Sequence, residues 1–144
     1  MRLLGLIFWA VALILPASAV AQSWVEYASI EDRFHAVFPT EPTVEDVDWM
    51  SEDGSVVPGR RYAAAQGDNQ YSLTVYDYRD SNFNNVRGSM AHIATSFRQR
   101  GEVSLDAYAQ LDRIAGHQLQ LTEPNGRELY VAIHLHDWRL YVTE

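Results

Sequence analysis

Apolar and polar residues alternate through the segment Arg127-Glu128-Leu129-Tyr130-Val131-Ala132-Ile133-His134-Leu135. A period of two is typical of a β-strand with one buried face. Leucine, valine and isoleucine occupy the face that would be buried, and the other face would carry Tyr130, Ala132, His134 and His136. Just before it, Pro124-Asn125-Gly126 is a strong signal for a hairpin turn. The segment therefore predicts a half-buried strand that follows a hairpin turn.

The same period extends outward from this segment. Residues 70–78 alternate cleanly, and Asp53-Gly54 favours a two-residue turn between strands at 43–52 and 55–65. Shorter strand-like segments complete the pattern at residues 24–27, 33–38, 102–109, 117–122 and 139–142. We therefore expect most of the chain to form antiparallel strands joined by tight turns.

Between residues 86 and 100 the period becomes that of a helix. An apolar stripe at helical spacing is formed by Met90, Ile93, Ala94 and Phe97. Asn84 or Asn85 can cap its start, and Gly101 ends it. The sequence thus predicts an α+β fold, a two-layer sandwich of one antiparallel sheet of successive hairpins with one helix packed on a face. Because the chain stops at Glu144 within a predicted strand, we expect the domain to be truncated at its C-terminus.

The N-terminus has the three parts of a secretory signal peptide. Met1-Arg2 is positively charged, residues 3–15 are almost entirely apolar, and Ala19-Val20-Ala21 offers a small-residue cleavage site. The apolar run is shorter than the roughly 20 residues that a membrane span needs, which argues against an uncleaved anchor. We expect residues 1–21 to be removed, residues 22–144 to form one domain, and the mature protein to be periplasmic or secreted without stable membrane insertion.

Composition excludes several kinds of chemistry. The 144 residues include no cysteine, so disulfides, thiol catalysis and a lipid-modified N-terminal cysteine are all excluded. The eleven basic residues are all arginine, which excludes lysine Schiff bases. The net charge is −8, and loss of Arg2 with the signal peptide would make it −9. Such an acidic chain repels phosphate backbones, and we expect no nucleic-acid partner.

Two histidines are the best candidates for a metal site. His134 and His136 point the same way on a strand and could bind one metal ion, with Asp137 following. His117 could add a third ligand only if its strand pairs in the right register. The alternative interpretation is that the histidines half-cover an open sheet face beside Tyr130. No Gly-x-Ser-x-Gly sequence is present, and we expect no enzyme activity and no cofactor.

Other polar groups are interpreted as solvated. Arg60-Arg61 is expected on a solvated strand face rather than in an anion site. An acidic hairpin has its carboxylates strung along a strand, unlike a calcium loop: Glu41, Glu45, Asp46, Asp48, Glu52 and Asp53. The eight tyrosines suit a contact surface, although strand propensity also accounts for many of them.

The segment Phe34-His35-Ala36-Val37-Phe38-Pro39-Thr40-Glu41-Pro42 follows a short aromatic strand and resembles exported bacterial domains of the PsbP-like family. The order of hairpins and the single mid-chain helix are similar to that family as well. The resemblance implies a further helix after the last strand. It also implies a non-enzymatic role in binding or assembly, and it brings no catalytic residue to this chain.

These observations lead to one favoured function and two alternatives. The favoured one is an exported non-catalytic binding or assembly-factor domain with a periplasmic protein partner, working through an open sheet face with Tyr130, His134 and His136. The first alternative is a metal-binding protein or metal-dependent enzyme that uses His134 and His136. The second is an apolar ligand carried between the sheet and the helix.

Overall fold

The computed structural model describes residues 24–80 and 86–144, which form nine strands and one helix. The strands are β1 (Val25–Ser29), β2 (Phe34–Phe38), β3 (Thr43–Met50), β4 (Val56–Gln66), β5 (Asn69–Asp77), β6 (Glu102–Leu111), β7 (Ile114–Thr122), β8 (Glu128–His136) and β9 (Arg139–Thr143). The helix, α1, is Val86–Arg98. The predicted signal peptide and the predicted caps Asn84 and Asn85 lie outside the described residues.

Seven strands form one antiparallel sheet in the order β3-β4-β5-β9-β8-β7-β6, and β1 and β2 form a separate two-stranded sheet. The chain builds β3 to β5 as one meander and β6 to β9 as a second. The last strand then enters between β5 and β8 and joins the two meanders. Strand β9 is therefore central, and its residues are largely buried.

The predicted α+β class and two-layer sandwich are wrong. The structure is mostly antiparallel sheet, 62% strand against 10% helix, and it contains two sheets. The physical reason is that the helical period is confined to one 13-residue segment, whereas the remaining described elements pair as strands. In addition, the β1–β2 hairpin packs on one face of the large sheet and α1 packs on the other. The large sheet is thus a middle layer.

The larger core lies between α1 and the sheet. The predicted stripe is confirmed, because Ile93, Ala94 and Phe97 are buried there with Met90 partly buried. The sheet contributes its aliphatic residues to this core: Leu119, Leu121, Leu129, Val131, Ile133, Leu140 and Val142. Each such side chain stabilises the fold by about 1.5–3 kcal/mol through burial. Within the described residues, no helix is long and apolar enough to cross a membrane.

A smaller, aromatic core lies beneath the hairpin. Tyr27 and Phe34 of the hairpin pack around the ring of Tyr62 in β4, with ring centroids 5.5 and 4.8 Å from it. Phe38, Leu73 and Val75 complete the buried cluster. Because this core meets only β4, β5 and β9, the hairpin covers about one half of its sheet face and leaves the half formed by β6, β7 and β8 uncovered.

Candidate binding surface

The uncovered half of the sheet carries a small set of side chains from three neighbouring strands. In register, Gln118 of β7 lies beside Ala132 of β8, and Gln120 lies beside Tyr130. On the other side, β6 places Leu105 beside Gln120 and Ala107 beside Gln118. We call this surface the bare face and define it by Leu105, Ala107, Gln118, Gln120, Tyr130 and Ala132.

The bare face is uncharged; the amides of Gln118 and Gln120 lie on its central strand, β7, and its apolar groups lie on the two flanking strands. Most of its members line a shallow depression of about 250 Å³. The ring of Tyr130 is 59% exposed, and Leu105 is exposed as well. The Tyr130 hydroxyl donates a hydrogen bond to Glu128 at 3.0 Å and accepts one from Gln120 at 3.3 Å. The bond to Glu128 raises the pKa of Tyr130 and keeps the phenol neutral.

The two candidate metal-binding histidines share the bare face's side of β8 but differ in environment. His134 pairs with Gly116 of the neighbouring strand β7. Its imidazole lies so close to Gly116 that a Cβ added there would be 2.6 Å from Nε2. Burial lowers the pKa of His134 and favours its neutral form. His136 pairs with Arg139 near the β8–β9 turn and is exposed.

The structure does not bring the third predicted ligand to this pair. His117 pairs with Ile133 and therefore projects from the opposite side of the sheet, toward α1. Within residues 24–80 and 86–144, no group of three or more histidine, aspartate or glutamate side chains is arranged to hold a metal ion. His134 and His136 supply at most two of the four ligands that a structural zinc site needs.

His117 takes part in an ionic cluster at the end of α1. Arg98 donates to both carboxylate oxygens of Asp106, at 2.6 and 3.1 Å, and His117 Nε2 contacts the same carboxylate. Hydrogen bonds from Arg98 and His117 lower the pKa of Asp106 to about 2. The exposed ring of Tyr108 lies edge-on to His117, with centroids 5.4 Å apart. The cluster anchors β6 and β7 to the helix.

A second ionic cluster fastens the β1–β2 turn to the sheet, and sequence reasoning missed it. Arg60 donates two hydrogen bonds to the buried carboxylate of Asp32, at 2.8 and 2.7 Å, and Tyr62 donates a third at 2.5 Å. Burial raises the pKa of Asp32, but the hydrogen bonds from Arg60 and Tyr62 bring it below its ordinary value. The expectation that Arg60 is solvated is wrong, because this carboxylate partly buries it.

Arg139 extends this cluster beneath the turn. Its side chain is 1% exposed, and its guanidinium is 3.4 Å from the main-chain carbonyl of Glu31 and 3.5 Å from the carboxylate of Asp137. Tyr141 donates a hydrogen bond to the carbonyl of Asp32 at 3.0 Å. Asp32 and Arg60 lie 28 residues apart in the sequence, and no local spacing therefore predicts their contact.

The helix side of β3, β4 and β5 has a larger depression, of about 490 Å³. Arg61 lies within it, 3.8 Å from Glu45, and Arg127 reaches Gln70 at 3.3 Å. Glu144 also lines it, so both signs of charge are present. The acidic residues of β3 are exposed, as predicted. The depression shows no preference for an anion or for a cation.

Comparisons with known proteins give no assignment: no protein-family model, curated protein or solved structure matches this chain.

Proposed function

We propose that this protein is an exported, non-catalytic binding domain whose working surface is the bare face. The observation that carries the proposal is the division of one sheet face, half under the hairpin and half uncovered. In the uncovered half, apolar groups on β6 and β8 flank the glutamines of β7, next to the exposed ring of Tyr130. Exposed apolar surface of this kind marks interaction sites in soluble proteins.

The chemistry of the bare face indicates a neutral, partly apolar partner. Its six defining residues carry no charge, although the chain has a net charge of −8. Because the surface itself is uncharged, a flat, neutral protein surface could bury Leu105 and Ala132 there. Gln118 and Gln120 would supply side-chain amides for hydrogen bonds at such a contact.

Export is the second part of the proposal and rests on the N-terminal sequence. If the signal peptide is cleaved as expected, the mature chain isolated from a periplasmic fraction begins at Gln22. Intact-mass measurement of that chain tests this directly, and a mass that includes residues 1–21 would contradict it. The resemblance to PsbP-like domains agrees with an exported binding role and stays a prediction.

The binding role can be tested with matched surface variants. Gln118→Arg places a charge at the middle of the bare face, and Val44→Arg places the same charge on exposed β3, far from it. Neither change disturbs a buried residue. We expect wild-type protein and Val44→Arg to retain the same periplasmic partner in affinity capture, and Gln118→Arg to lose it. Capture of that partner by all three proteins would refute the assignment of the surface.

A further inference from the structure

The large sheet ends in two edge strands that differ in charge. Strand β3 carries Glu45, Asp46 and Asp48 along the edge. Strand β6 carries no arginine and no proline, and between residues 105 and 111 its one ionised group is Asp106. Within the described residues, neither edge pairs with a further strand. Charges and prolines are the usual means by which an edge strand avoids pairing with another chain.

We propose that two copies of this protein associate through β6, as an antiparallel pair about a two-fold axis at Tyr108. The extra residue Ser104 interrupts the strand, because Val103 pairs with Leu121 and Leu105 already pairs with Gln120. The regular part of the edge is therefore residues 105–111. An axis at Tyr108 is the one that pairs this segment with itself over its full length.

This register places similar side chains opposite each other on both sides of the sheet. On the side of the bare face, Leu105 meets Leu111 of the second copy and Ala107 meets Ala109. On the helix side, the 90% exposed ring of Tyr108 meets its own symmetry mate. Aromatic and aliphatic cross-strand pairs of this kind stabilise antiparallel sheets. Exposed apolar residues at three places on one edge would be covered at once.

Backbone geometry permits the same register. Along an edge strand, residues whose N–H and C=O groups point outward alternate with residues whose groups point inward. An axis that passes through a residue pairs positions that are an even number apart. Residues whose N–H and C=O groups point outward in one copy therefore face residues of the same kind in the other copy. This holds whether the outward-pointing groups belong to the odd-numbered or to the even-numbered residues.

Charge selects β6 over β3 and also selects the register. In the proposed pair, Asp106 faces the uncharged Gln110. Moving the axis by one residue to Ala109 would place Asp106 opposite Asp112. Pairing of β3 about Val47 would place Asp46 opposite Asp48 twice. Like charges directly opposite each other destabilise a strand pair.

The contact is short, and this limits its strength. Seven paired residues bury less than the roughly 800 Å² per partner found in stable complexes. We therefore expect a reversible dimer with a dissociation constant on the order of 100 µM. The inference does not rest on the proposed binding function, because it concerns the edge of the sheet. In the dimer, the two bare faces would become one continuous surface.

Sedimentation equilibrium of the purified protein between about 10 µM and 1 mM covers the expected range. Tyr108→Lys brings two ammonium groups together at the axis, and we expect the dissociation constant to rise at least tenfold. Gln110→Glu should weaken association about threefold or more, because it faces Asp106, and Gln110→Lys should strengthen it by a similar factor. Both positions are exposed on the edge strand, and unchanged thermal unfolding of the three variants shows that the monomer is intact.

Tyr130→Lys is the matched control, since it places the same charge on an exposed tyrosine of the bare face away from the edge. It should leave association unchanged. Loss of the dimer in Tyr130→Lys would show that the bare face itself is the contact and would overturn the proposal. Equal effects of Gln110→Glu and Gln110→Lys on the dissociation constant would overturn the register. A protein that is still monomeric at 1 mM would overturn the association itself.

Discussion

Replacing Asp32 by asparagine should weaken the whole fold by about 3 kcal/mol. Its carboxylate is 4% exposed and neutralises Arg60, with the 1% exposed Arg139 close by. Removing one partner of a buried ion pair costs about 3–5 kcal/mol, because the other charge stays buried without compensation. The lower end of that range applies here, since the guanidinium of Arg60 also contacts Glu31 at 2.7 Å and keeps some exposure.

Two further variants test whether the loss of stability comes from burial of the altered group or from its contact with the Asp32–Arg60 pair alone. Glu31 binds the same guanidinium but is 71% exposed, so Glu31→Gln should cost at most about 0.5 kcal/mol. Tyr62→Phe removes one hydrogen bond to Asp32 and keeps the aromatic packing, and it should cost about 1 kcal/mol. Asp32→Asn should therefore cost most because it leaves a charge without its partner, Tyr62→Phe should cost less because it removes one buried hydrogen bond, and Glu31→Gln should cost least because its charge is exposed.

Urea unfolding followed by tryptophan fluorescence and circular dichroism measures this ranking. With a slope of about 2 kcal/mol/M, the midpoint of Asp32→Asn should fall by about 1.5 M, while the slope itself stays unchanged. An Asp32→Asn protein within 0.5 kcal/mol of wild type would show that the cluster is not a buried one in solution. Equal losses for Asp32→Asn and Glu31→Gln would refute the argument from burial.

Three further outcomes follow from the other clusters. The pKa of Asp106 is about 2, below its ordinary 3.8, so its charge stabilises the fold above about pH 4 and this contribution is lost as the pH falls to 2. Asp106→Asn should flatten the fall in unfolding free energy across that window, measured by urea titrations at several pH values. Gly116→Ala should cost about 1–3 kcal/mol by overpacking and push the imidazole of His134 outward, so that its pKa, followed by NMR, rises toward 6.5. Added zinc should leave the thermal midpoint unchanged because His134 and His136 offer two ligands, and a rise with zinc would restore the metal hypothesis.

Local patterns were sufficient to predict most of the elements. The alternation in residues 127–135 falls within β8 apart from Arg127, and the stripe of Ile93 and Phe97 faces the larger core. These signals succeed because each reports which face of one element is buried, a property that nearest neighbours in the chain determine. Between the last two strands, Asp137 and Trp138 both have positive φ, as a tight hairpin requires.

Properties that depend on contacts between distant segments were not predictable. The alternation along β1 and β2 does not say whether the hairpin joins the main sheet or packs on it, and this difference made the single-sheet prediction wrong. In the same way, Arg60-Arg61 looks like a solvated pair, because nothing near it indicates that Asp32 will lie above one arginine and not the other. Similarly, the register between β7 and β8 places His117 on the opposite side of the sheet from His134.

The buried cluster around Asp32 also sets the size of the bare face. Within the described residues, the hairpin makes no strand pairing with the large sheet. It is attached through aromatic contacts, the Asp32–Arg60 pair and the hydrogen bonds that Tyr141 and Arg139 make to its turn. If that pair is weakened, the hairpin can separate and expose Leu73 and Val75 beside the bare face. A dye that binds apolar surface should therefore fluoresce more strongly with Asp32→Asn than with Glu31→Gln, at urea concentrations below either unfolding transition. Equal fluorescence of the two variants would mean that the aromatic contacts and the hydrogen bonds to the turn's carbonyls hold the hairpin without the ion pair. The ion pair would then contribute stability without controlling how much of the sheet is open to a partner.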